Sequence, residues 1–252
     1  MPRALNLLRQ ATHYRRASFD AGLVAAGFSL CERIDRPEPG DVLLIWNRYS
    51  GGDETARHFE RHGAAVLVVE NCPLGNDLNG GSYTLARRQV AMTGGEFETG
   101  SPERWDSWGI NLQPWRTQGH TLILGQRGIG NSETRSPDQW AERIKSRFGG
   151  HIRAHPGTGP ATPLADDLKD AGRVITWSSA AAIQALAAGV PVWHAHPGFV
   201  GAGAARQLAD WGREPNTSDA ARLAMFRRLA WAVWTLDEIK TGAPIARLLG
   251  TV

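Results

Sequence analysis

Short apolar runs alternate with amphipathic segments along most of the chain, a rhythm typical of an α/β layer built on a mostly parallel sheet. In the first half the pattern predicts strands over residues 4–8, 28–34, 42–46 and 65–70, with helices over residues 19–26 and 53–62. From 71 to 117 the periodicity is lost among glycine, proline, asparagine and scattered aromatic residues. So long a stretch without periodicity predicts a functional loop or a region that the pattern does not resolve.

The periodicity returns in the second half. It predicts strands over residues 121–124, 151–154, 174–177 and 190–193, and helices over residues 137–148, 163–171, 180–188, 217–236 and 244–249. Ser136 is the expected N-cap of the first of these helices, before Pro137 at its first position. We therefore expect an N-terminal lobe over residues 1–117, a second lobe over 118–216 with a ligand cleft between the two, and C-terminal helices over 217–252 that pack back across the lobes.

Composition narrows the class only modestly. The chain has 252 residues, 42% of them apolar, and a formal net charge of +3, which permits an anionic partner such as a nucleotide or nucleic acid. Its two cysteines, Cys31 and Cys72, lack the spacing of a zinc site or a disulfide framework. No apolar run approaches the roughly 18 residues that span a bilayer, so we expect a cytoplasmic protein without a membrane span.

Three strand ends in the second half carry glycine-rich or polar sequence: GQRGIGN at residues 125–131, HPGTGP at 155–160 and WSS at 177–179. Parallel strands bring their carboxyl ends to one edge, so these loops are expected to converge there. Glycines let the backbone approach a ligand, and helix N-termini attract phosphate. Each loop alone is equally consistent with turns and helix caps, but the three together favour a site.

Several common types of functional site are disfavoured because the sequence lacks their motifs. The chain has no GxxxxGK[ST], no GxGxxG, no GxSxG and no HExxH, which disfavours P-loop, NAD, simple hydrolase and zinc-protease chemistry. His194 and His196 alternate at a strand end and could hold a metal, but they lack an obvious third ligand, which favours packed histidines.

The segment VITWSSAAAIQALAAGVPVW resembles the donor-binding half of GT-B glycosyltransferases, with Ser178 or Ser179, Ala185, Gly189 and Pro191 at the matching positions. With RAHP before it (Arg153, His155, Pro156), the stretch from 120 to 200 is most similar to capsular polysaccharide and Kdo transferases. The resemblance implies two Rossmann-like lobes and transfer of a sugar from a nucleotide sugar, with a uridine diphosphate (UDP) sugar as the default donor. It implies donor contacts from Gln126, Arg127, Gly128, His155, Pro156, Ser178, Ser179 and Gln184.

Gln184 stands where many GT-B enzymes have a ribose-binding glutamate. The family generally needs no bound metal or cofactor, because basic side chains and helix dipoles stabilise the departing diphosphate. An inverting transfer would need a general base in the first lobe. His13 is the leading candidate because it follows the first strand and because histidine is a side chain suited to general-base catalysis near neutral pH. Asp20 and Glu70 are alternatives, and a surface role for His13 is equally consistent with the sequence.

The acceptor is less constrained. Arginines interleaved with tyrosines in the first lobe suit a phosphate backbone and an extruded base, although a scattered set of solvated arginines fits equally. These arginines are Arg15, Arg16, Arg48, Arg87 and Arg88. In size, charge and layout the chain also resembles phage enzymes that glucosylate hydroxymethylated pyrimidines, which would place double-stranded DNA among its partners and the protein in a host cytoplasm. A capsule- or lipopolysaccharide-type glycan transferase and a non-catalytic nucleotide-sugar or nucleic-acid binding module remain the alternatives.

Overall fold

The computed structural model describes residues 1–158 and 162–250. For residue 158 it describes the backbone only. The chain divides into two compact units. The first comprises Met1–Ser101 and Ala230–Val252, and the second comprises Pro102–Leu229. The chain is therefore mixed α/β with one sheet of largely parallel strands in each unit, as the hydrophobic pattern predicts.

The first unit contains a sheet with six described strands: β1 Arg3–Asn6, β2 Ser29–Cys31, β3 Val42–Trp46, β4 Ala65–Asn71, β5 Ser82–Arg87 and β11 Val233–Thr235. Their order in the sheet is β11-β5-β4-β3-β1-β2. β1 to β4 run parallel, whereas β5 is antiparallel to β4 and β11 is antiparallel to β5. The described α-helices of this unit are α1 Arg16–Ala25, α2 Gly51–Arg61, α8 Leu236–Lys240 and α9 Ala243–Leu249.

Alternation along the strands gives this sheet two buried faces. On one face Val42 and Leu44 pack with Phe19 of α1. On the other face Leu43 packs with Phe59 of α2. Helices thus cover both faces of the parallel strands, and the carboxyl ends of β1, β3 and β4 are brought to one edge.

The second unit contains a sheet with five described strands: β6 His120–Leu124, β7 His151–Arg153, β8 Ala171–Thr176, β9 Val192–His194 and β10 Arg206–Gln207. These strands are all parallel, and their order in the sheet is β10-β9-β8-β6-β7. Its helices are α3 Glu103–Asp106, α4 Trp140–Phe148, α5 Leu164–Lys169, α6 Ala181–Ala187 and α7 Asp219–Leu229. Ile123, Ile175 and Trp193 of the sheet form a core with Trp140 and Ile144 of α4.

The structure differs from the sequence interpretation in three details. The segment between 71 and 117 contains β5 and the short helix α3, although its periodicity predicted neither. The long helix predicted over 217–236 ends at Leu229, and β11 follows it. α4 begins at Trp140, because Gln139 before it adopts a left-handed backbone with φ 53°, and Ser136 is not its N-cap. Among the described helices, none combines the length and the apolar composition needed to cross a membrane.

Candidate functional site

The carboxyl edge of the second sheet gathers the loops that follow β6, β7, β8 and β9. Gly125 follows β6 directly, and its backbone N–H donates to the carbonyl of Arg153 at the end of β7 (2.9 Å). The side-chain oxygen of Gln126 accepts from the backbone N–H of Ser178 after β8 (2.9 Å). Three of the loops singled out in the sequence are therefore in contact at this edge, as parallel strands require.

A pocket of about 370 Å³ opens between the β6 loop, the end of β7 and the start of α4. Its lining combines Gly125–Gly128, His155 and the segment from Ser136 to Glu142. Gly128 has a φ of 64°, a conformation that side chains rarely adopt, so glycine is required at that turn. Among the described residues, the pocket lining includes Gln126, Arg127, Gly128 and His155 of the predicted donor contacts, but not Pro156, Ser178, Ser179 or Gln184.

Arg127 and His155 are the basic side chains of this pocket, whose described lining also includes the acidic residues Asp138 and Glu142. A Cβ on Gly157 would lie 2.9 Å from Nη1 of Arg127 and 3.2 Å from Nδ1 of His155, so both side chains crowd over that glycine. The Gly157 N–H donates to Nδ1 of His155 (2.9 Å), which leaves the ring proton on Nε2. Burial lowers the pKa of His155, and the charges of Arg127 and Arg153 lower it further. The site thus pairs the Arg127 guanidinium with an imidazole that is neutral at neutral pH.

Arg153 and Pro156 complete the RAHP element without entering the pocket. The guanidinium of Arg153 pairs with Asp167 of α5 and donates to the Thr162 carbonyl (2.6 Å). Pro156 opens the 3-10 turn Pro156–Thr158. The last two residues of the HPGTGP loop, 159 and 160, lie outside the described part of the chain. Arg153 therefore holds the chain after β7 against α5, and His155, two residues further on, lines the pocket.

The backbone N–H groups of the serine turn after β8 are bonded within the protein to a greater extent than the sequence predicts. The N–H of Ser178 is bonded to Gln126, and the N–H of Ser179 is bonded to Oγ1 of Thr176 (2.8 Å). The Ser179 hydroxyl in turn accepts from the N–H of Ala181 at 3.3 Å. The first amides of α6 are largely used within the protein, and this supports a structural role for the serines.

Gln184 lies apart from this edge, in a second recess of about 350 Å³ between α5 and α6. Leu164, Leu168 and Ala188 give the recess an apolar lining. Arg116 borders it and donates to the carbonyls of Lys169 (2.7 Å) and Leu168 (3.0 Å) at the end of α5. A ribose contact by Gln184 remains a prediction.

In the first unit the proposed bases lie at the carboxyl edge of the sheet. His13 is exposed, and its ring makes edge contacts with Tyr14 and Trp46 (centroids 5.2 Å from each). Its carbonyl accepts from the Tyr83 hydroxyl (3.0 Å), but its ring nitrogens meet no hydrogen-bond partner among the described residues. His13 is therefore held by its backbone while its imidazole stays accessible.

The two alternative bases are already engaged by N–H donors. Asp20 accepts from the Asn6 amide (2.7 Å) and lies 3.5 Å from Nε of Arg16. Glu70 accepts from the side chains of Asn47 and Asn71 (2.9 Å each) and from the Asn71 backbone (2.8 Å). Of the three candidates, His13 has the most available proton acceptor.

The predicted acceptor arginines do not share one surface. Arg48 is buried, and its guanidinium is bonded to Asp53 and Glu60 (2.8 Å each). Arg87 ends the antiparallel strand β5 and so lies at the opposite edge of the sheet from Arg15 and Arg16. Arg16 also donates to the Leu8 carbonyl (2.8 Å), and exposed Arg88 faces Glu96 (3.6 Å). This arrangement does not support a DNA-binding surface.

Solved structures show what this architecture is similar to. The β-Kdo 2,7 transferase of KpsC from Thermosulfurimonas dismutans matches with a TM-score of 0.61 and 12% identity, over 98% of this chain and 100% of its own. The β-Kdo 2,4 transferase of KpsC from the same organism matches with a TM-score of 0.54 and 15% identity, over 90% of each chain. The fold of this chain is therefore similar to that of these two Kdo transferases. No protein-family model and no curated protein matches the sequence.

Sequence reasoning missed the side chains that hold the loop after β6 in place. Two side chains from elsewhere in the unit donate hydrogen bonds to successive backbone carbonyls of the turn at residues 131–135, which follows the glycine loop. The Trp177 indole donates to Thr134 (2.8 Å), and Nε2 of His196 donates to Glu133 (3.2 Å). Nδ1 of His196 accepts from the Gly198 N–H (3.0 Å), so this imidazole is bonded on both sides. Nothing in the sequence pairs these side chains with carbonyls 43 and 63 residues away.

His194 and His196 are buried, as packed histidines are expected to be. Nδ1 of His194 donates to the His196 carbonyl (2.9 Å), and burial is the main cause that lowers the pKa of both rings. Among the described residues there is no group of three or more His, Cys, Asp or Glu side chains that could hold a metal. Independence from metal and cofactor nevertheless stays a prediction.

Proposed function

We propose that this protein is a glycosyltransferase that takes its sugar from a nucleotide sugar and transfers it to a glycan hydroxyl. The observation that carries the proposal is the pocket of the second unit, where Arg127 and His155 meet a glycine loop at the carboxyl ends of parallel strands. Such an edge is where open α/β sheets bind ligands. The glycosyltransferase-like fold supports sugar transfer as the chemistry.

The donor's phosphates would bind in this pocket. The guanidinium of Arg127 offers a positive charge, and the neutral imidazole of His155 offers a hydrogen-bonding group. Both can stabilise the charge that develops on the leaving phosphate. UDP remains the default nucleotide only through the resemblance of the 120–200 segment, and the structure adds no preference.

A capsule-type glycan is the preferred acceptor. The similar solved structures are Kdo transferases by name, and the arginines that would have supported a DNA acceptor are buried, paired or on opposite edges. His13 would act as the general base, since its ring nitrogens are accessible at the carboxyl edge of the first sheet.

Donor binding is tested by thermal shift over a panel of UDP, GDP and CMP sugars, because a ligand that binds the folded state raises its apparent stability. Arg127→Ala and His155→Ala are each expected to weaken binding about ten-fold or more, the size of a lost charge-assisted hydrogen bond. Arg61→Ala, an exposed arginine of the other unit, and His151→Ala, at the opposite edge of the second sheet, are the matched controls. Equal shifts in all four variants would contradict the assignment of the pocket.

The base is tested with the donor that this panel identifies. His13→Ala is expected to keep donor binding and to lower transfer about 100-fold or more, as loss of general-base catalysis does. Full transfer activity in His13→Ala would remove His13 from the mechanism. Transfer that fails in the wild type, with donor binding intact, would favour the non-catalytic nucleotide-sugar binding module instead.

A further inference from the structure

The recess between α5 and α6 is separate from the pocket that contains His155. The two share no residue of their described linings. Arg116 precedes β6, Lys169 ends α5 just before β8, and Ala188 follows α6 before β9. These three residues therefore lie near the amino edge of the second sheet, whereas the pocket opens at its carboxyl edge. A ligand in the recess would occupy a second site of this unit.

Small and apolar side chains form this recess. Leu164, Ala165 and Leu168 share one face of α5, because residues three and four positions apart lie on the same side of a helix. The alanines at 165 and 188 leave space that larger side chains would fill. Leu168 is buried and Ala165 is exposed, so the recess has an apolar floor and a rim open to solvent. Its volume of about 350 Å³ is within the range of small-molecule sites.

The guanidinium of Arg116, on one side of the recess, is already used by the protein. It donates to the carbonyls of Lys169 (2.7 Å) and Leu168 (3.0 Å) at the end of α5. It also donates to the carbonyl of Ala188 after α6 (3.5 Å). These bonds satisfy carbonyls that the last turns of the two helices leave open. Arg116 therefore joins the two helix ends, and its donors are occupied by the backbone.

Lys169 leaves an available positive charge at the rim of the recess. Its side chain is exposed, and its ammonium group has no hydrogen-bond or ion-pair partner among the described residues. The acidic residues of this segment, Asp166, Asp167 and Asp170, are not part of the described lining, and Asp167 is paired with Arg153. An apolar floor beside one available cation complements a ligand with an apolar chain and a single negative charge.

We propose that this recess binds an amphipathic monoanion of the fatty-acid class, with its hydrocarbon chain against Leu164 and Leu168 and its carboxylate at the Lys169 ammonium. The one available cation matches a carboxylate with one charge. The volume suits a short chain and not a folded partner. Binding at this site requires neither the donor nor the acceptor of the proposed transfer, so the inference does not rest on that function.

The test is isothermal titration calorimetry of the full chain with hexanoate, octanoate, decanoate and decanol, without any nucleotide sugar and below the concentrations at which these ligands aggregate. Affinity for the carboxylates is expected to rise about four-fold with each added methylene, the effect of burying one such group. Decanol should bind about three-fold more weakly than decanoate, because it lacks the charge that pairs with Lys169 at the exposed rim.

Two variants separate the chain from the carboxylate. Ala165→Trp should weaken decanoate binding about ten-fold or more, because the indole would occupy the space of the chain. Ala209→Trp, at an exposed alanine outside the described lining, is its matched control. Lys169→Met should weaken decanoate binding about three-fold and leave decanol binding unchanged. Lys145→Met, at an exposed lysine of α4, should bind both ligands like the wild type.

Lys169→Met decides the outcome if Ala165→Trp fails to fold, since the Lys169 side chain is exposed and its ammonium is unpaired within the described residues. Absence of decanoate binding by the wild type, equal affinities for hexanoate and decanoate, or unchanged binding in a folded Ala165→Trp would each overturn the proposal. Equal changes in decanoate and decanol affinity in Lys169→Met would also overturn it, because the ammonium would then not hold the carboxylate.

Discussion

At the residue scale, Gly157 controls where the Arg127 guanidinium can lie. A Cβ at this position would come within 2.9 Å of Nη1 and 3.1 Å of Cζ of Arg127. Because these atoms end a flexible side chain, Gly157→Ala should displace the guanidinium while changing the melting temperature little. We expect nucleotide-sugar affinity to fall about ten-fold, as for loss of a charge-assisted hydrogen bond. Titration calorimetry with the identified donor measures the change.

Gly203→Ala is the matched control for this prediction. Gly203 lies in the same unit and has no positive φ, and a methyl group added to it would meet no described atom within 4 Å, so the variant should bind donor like the wild type. Unchanged affinity in Gly157→Ala would mean that Arg127 does not contact the donor from its observed position.

Three histidines of the second unit make its stability depend on pH. Burial is the largest cause that lowers the pKa of His155, His194 and His196 below the ordinary 6.5. The unfolded chain therefore binds more protons than the folded chain below about pH 6.5, so the free energy of unfolding should fall as the pH decreases through that value. Above it this contribution is fully present.

His196→Gln isolates one of these histidines. Glutamine does not titrate, so the variant should lose less stability between pH 7.5 and 5.5 than the wild type, although it starts less stable because the bonds to Glu133 and Gly198 are disturbed. Urea denaturation at both pH values, with exposed His151→Gln as the control, checks this. If the free energy of unfolding falls equally in the wild type and in His196→Gln between these pH values, His196 does not contribute to the pH dependence.

The sequence predicted which loops meet at the carboxyl edge of the second sheet better than it predicted the side chains that hold those loops. Arg127 and His155 could be predicted to lie close together because the glycine-rich ends of parallel strands converge. Trp177 and His196 could not be assigned their roles, because each is bonded to a carbonyl far away in the chain and backbone carbonyls carry no sequence signature. At the first sheet a signal was present in the asparagines at three strand ends, but its partners Asp20 and Glu70 become apparent only in the structure.

At the scale of elements, the contact between α1 and α8 depends on Gly22. A Cβ there would overlap the Ile239 carbonyl oxygen and lie 3.3 Å from the Ile245 side chain. Since α8 is held by a capping box between Thr235 and Glu238, its backbone cannot easily withdraw. Gly22→Ala should therefore lower the free energy of unfolding by about 2 to 3 kcal/mol, as overpacking does.

Denaturant unfolding of Gly22→Ala, compared with Gly51→Ala, measures this effect. Gly51 is the first residue of α2 and has nothing within 4 Å of the added methyl, so its substitution should be neutral or slightly stabilising. A loss below about 0.5 kcal/mol in Gly22→Ala, the range of ordinary surface substitutions, would show that α8 adjusts.

Elements with a clear apolar periodicity were predicted well, whereas strands whose conformation depends on pairing with a neighbouring strand were not. β3 is found at the predicted residues, 42–46, because five consecutive apolar residues between turns form a strand buried on both faces. β5 and β11 were missed. β11 is three residues long, and the apolar residues of the preceding helix continue into it without a break as far as Trp234. Its strand conformation therefore comes from pairing with β5 and not from its own pattern.

At the scale of the whole molecule, the first unit is discontinuous in sequence. Trp234, Ile239 and Ile245 from its C-terminal segment belong to the same core as Ala4 and Phe19. The two ends of the second unit also meet, because Trp105 of α3 stacks on Phe226 of α7 (4.6 Å) and Arg227 pairs with Asp106 (2.8 Å). Each unit thus has its own core and closed ends, which are the properties of an independent domain.

Residues 102–229 expressed alone should therefore fold cooperatively and keep the nucleotide-sugar thermal shift, while residues 1–101 alone should not fold, because they lack β11, α8 and α9. The Trp231 indole donates to the Ser101 carbonyl (3.0 Å), so a short glycine-serine linker can join residues 101 and 230. That fusion should regain cooperative unfolding by circular dichroism. A fragment of residues 102–229 that folds but shows no donor shift would place essential donor contacts outside the second unit. A folded 1–101 fragment would show that the C-terminal segment is dispensable for the first core.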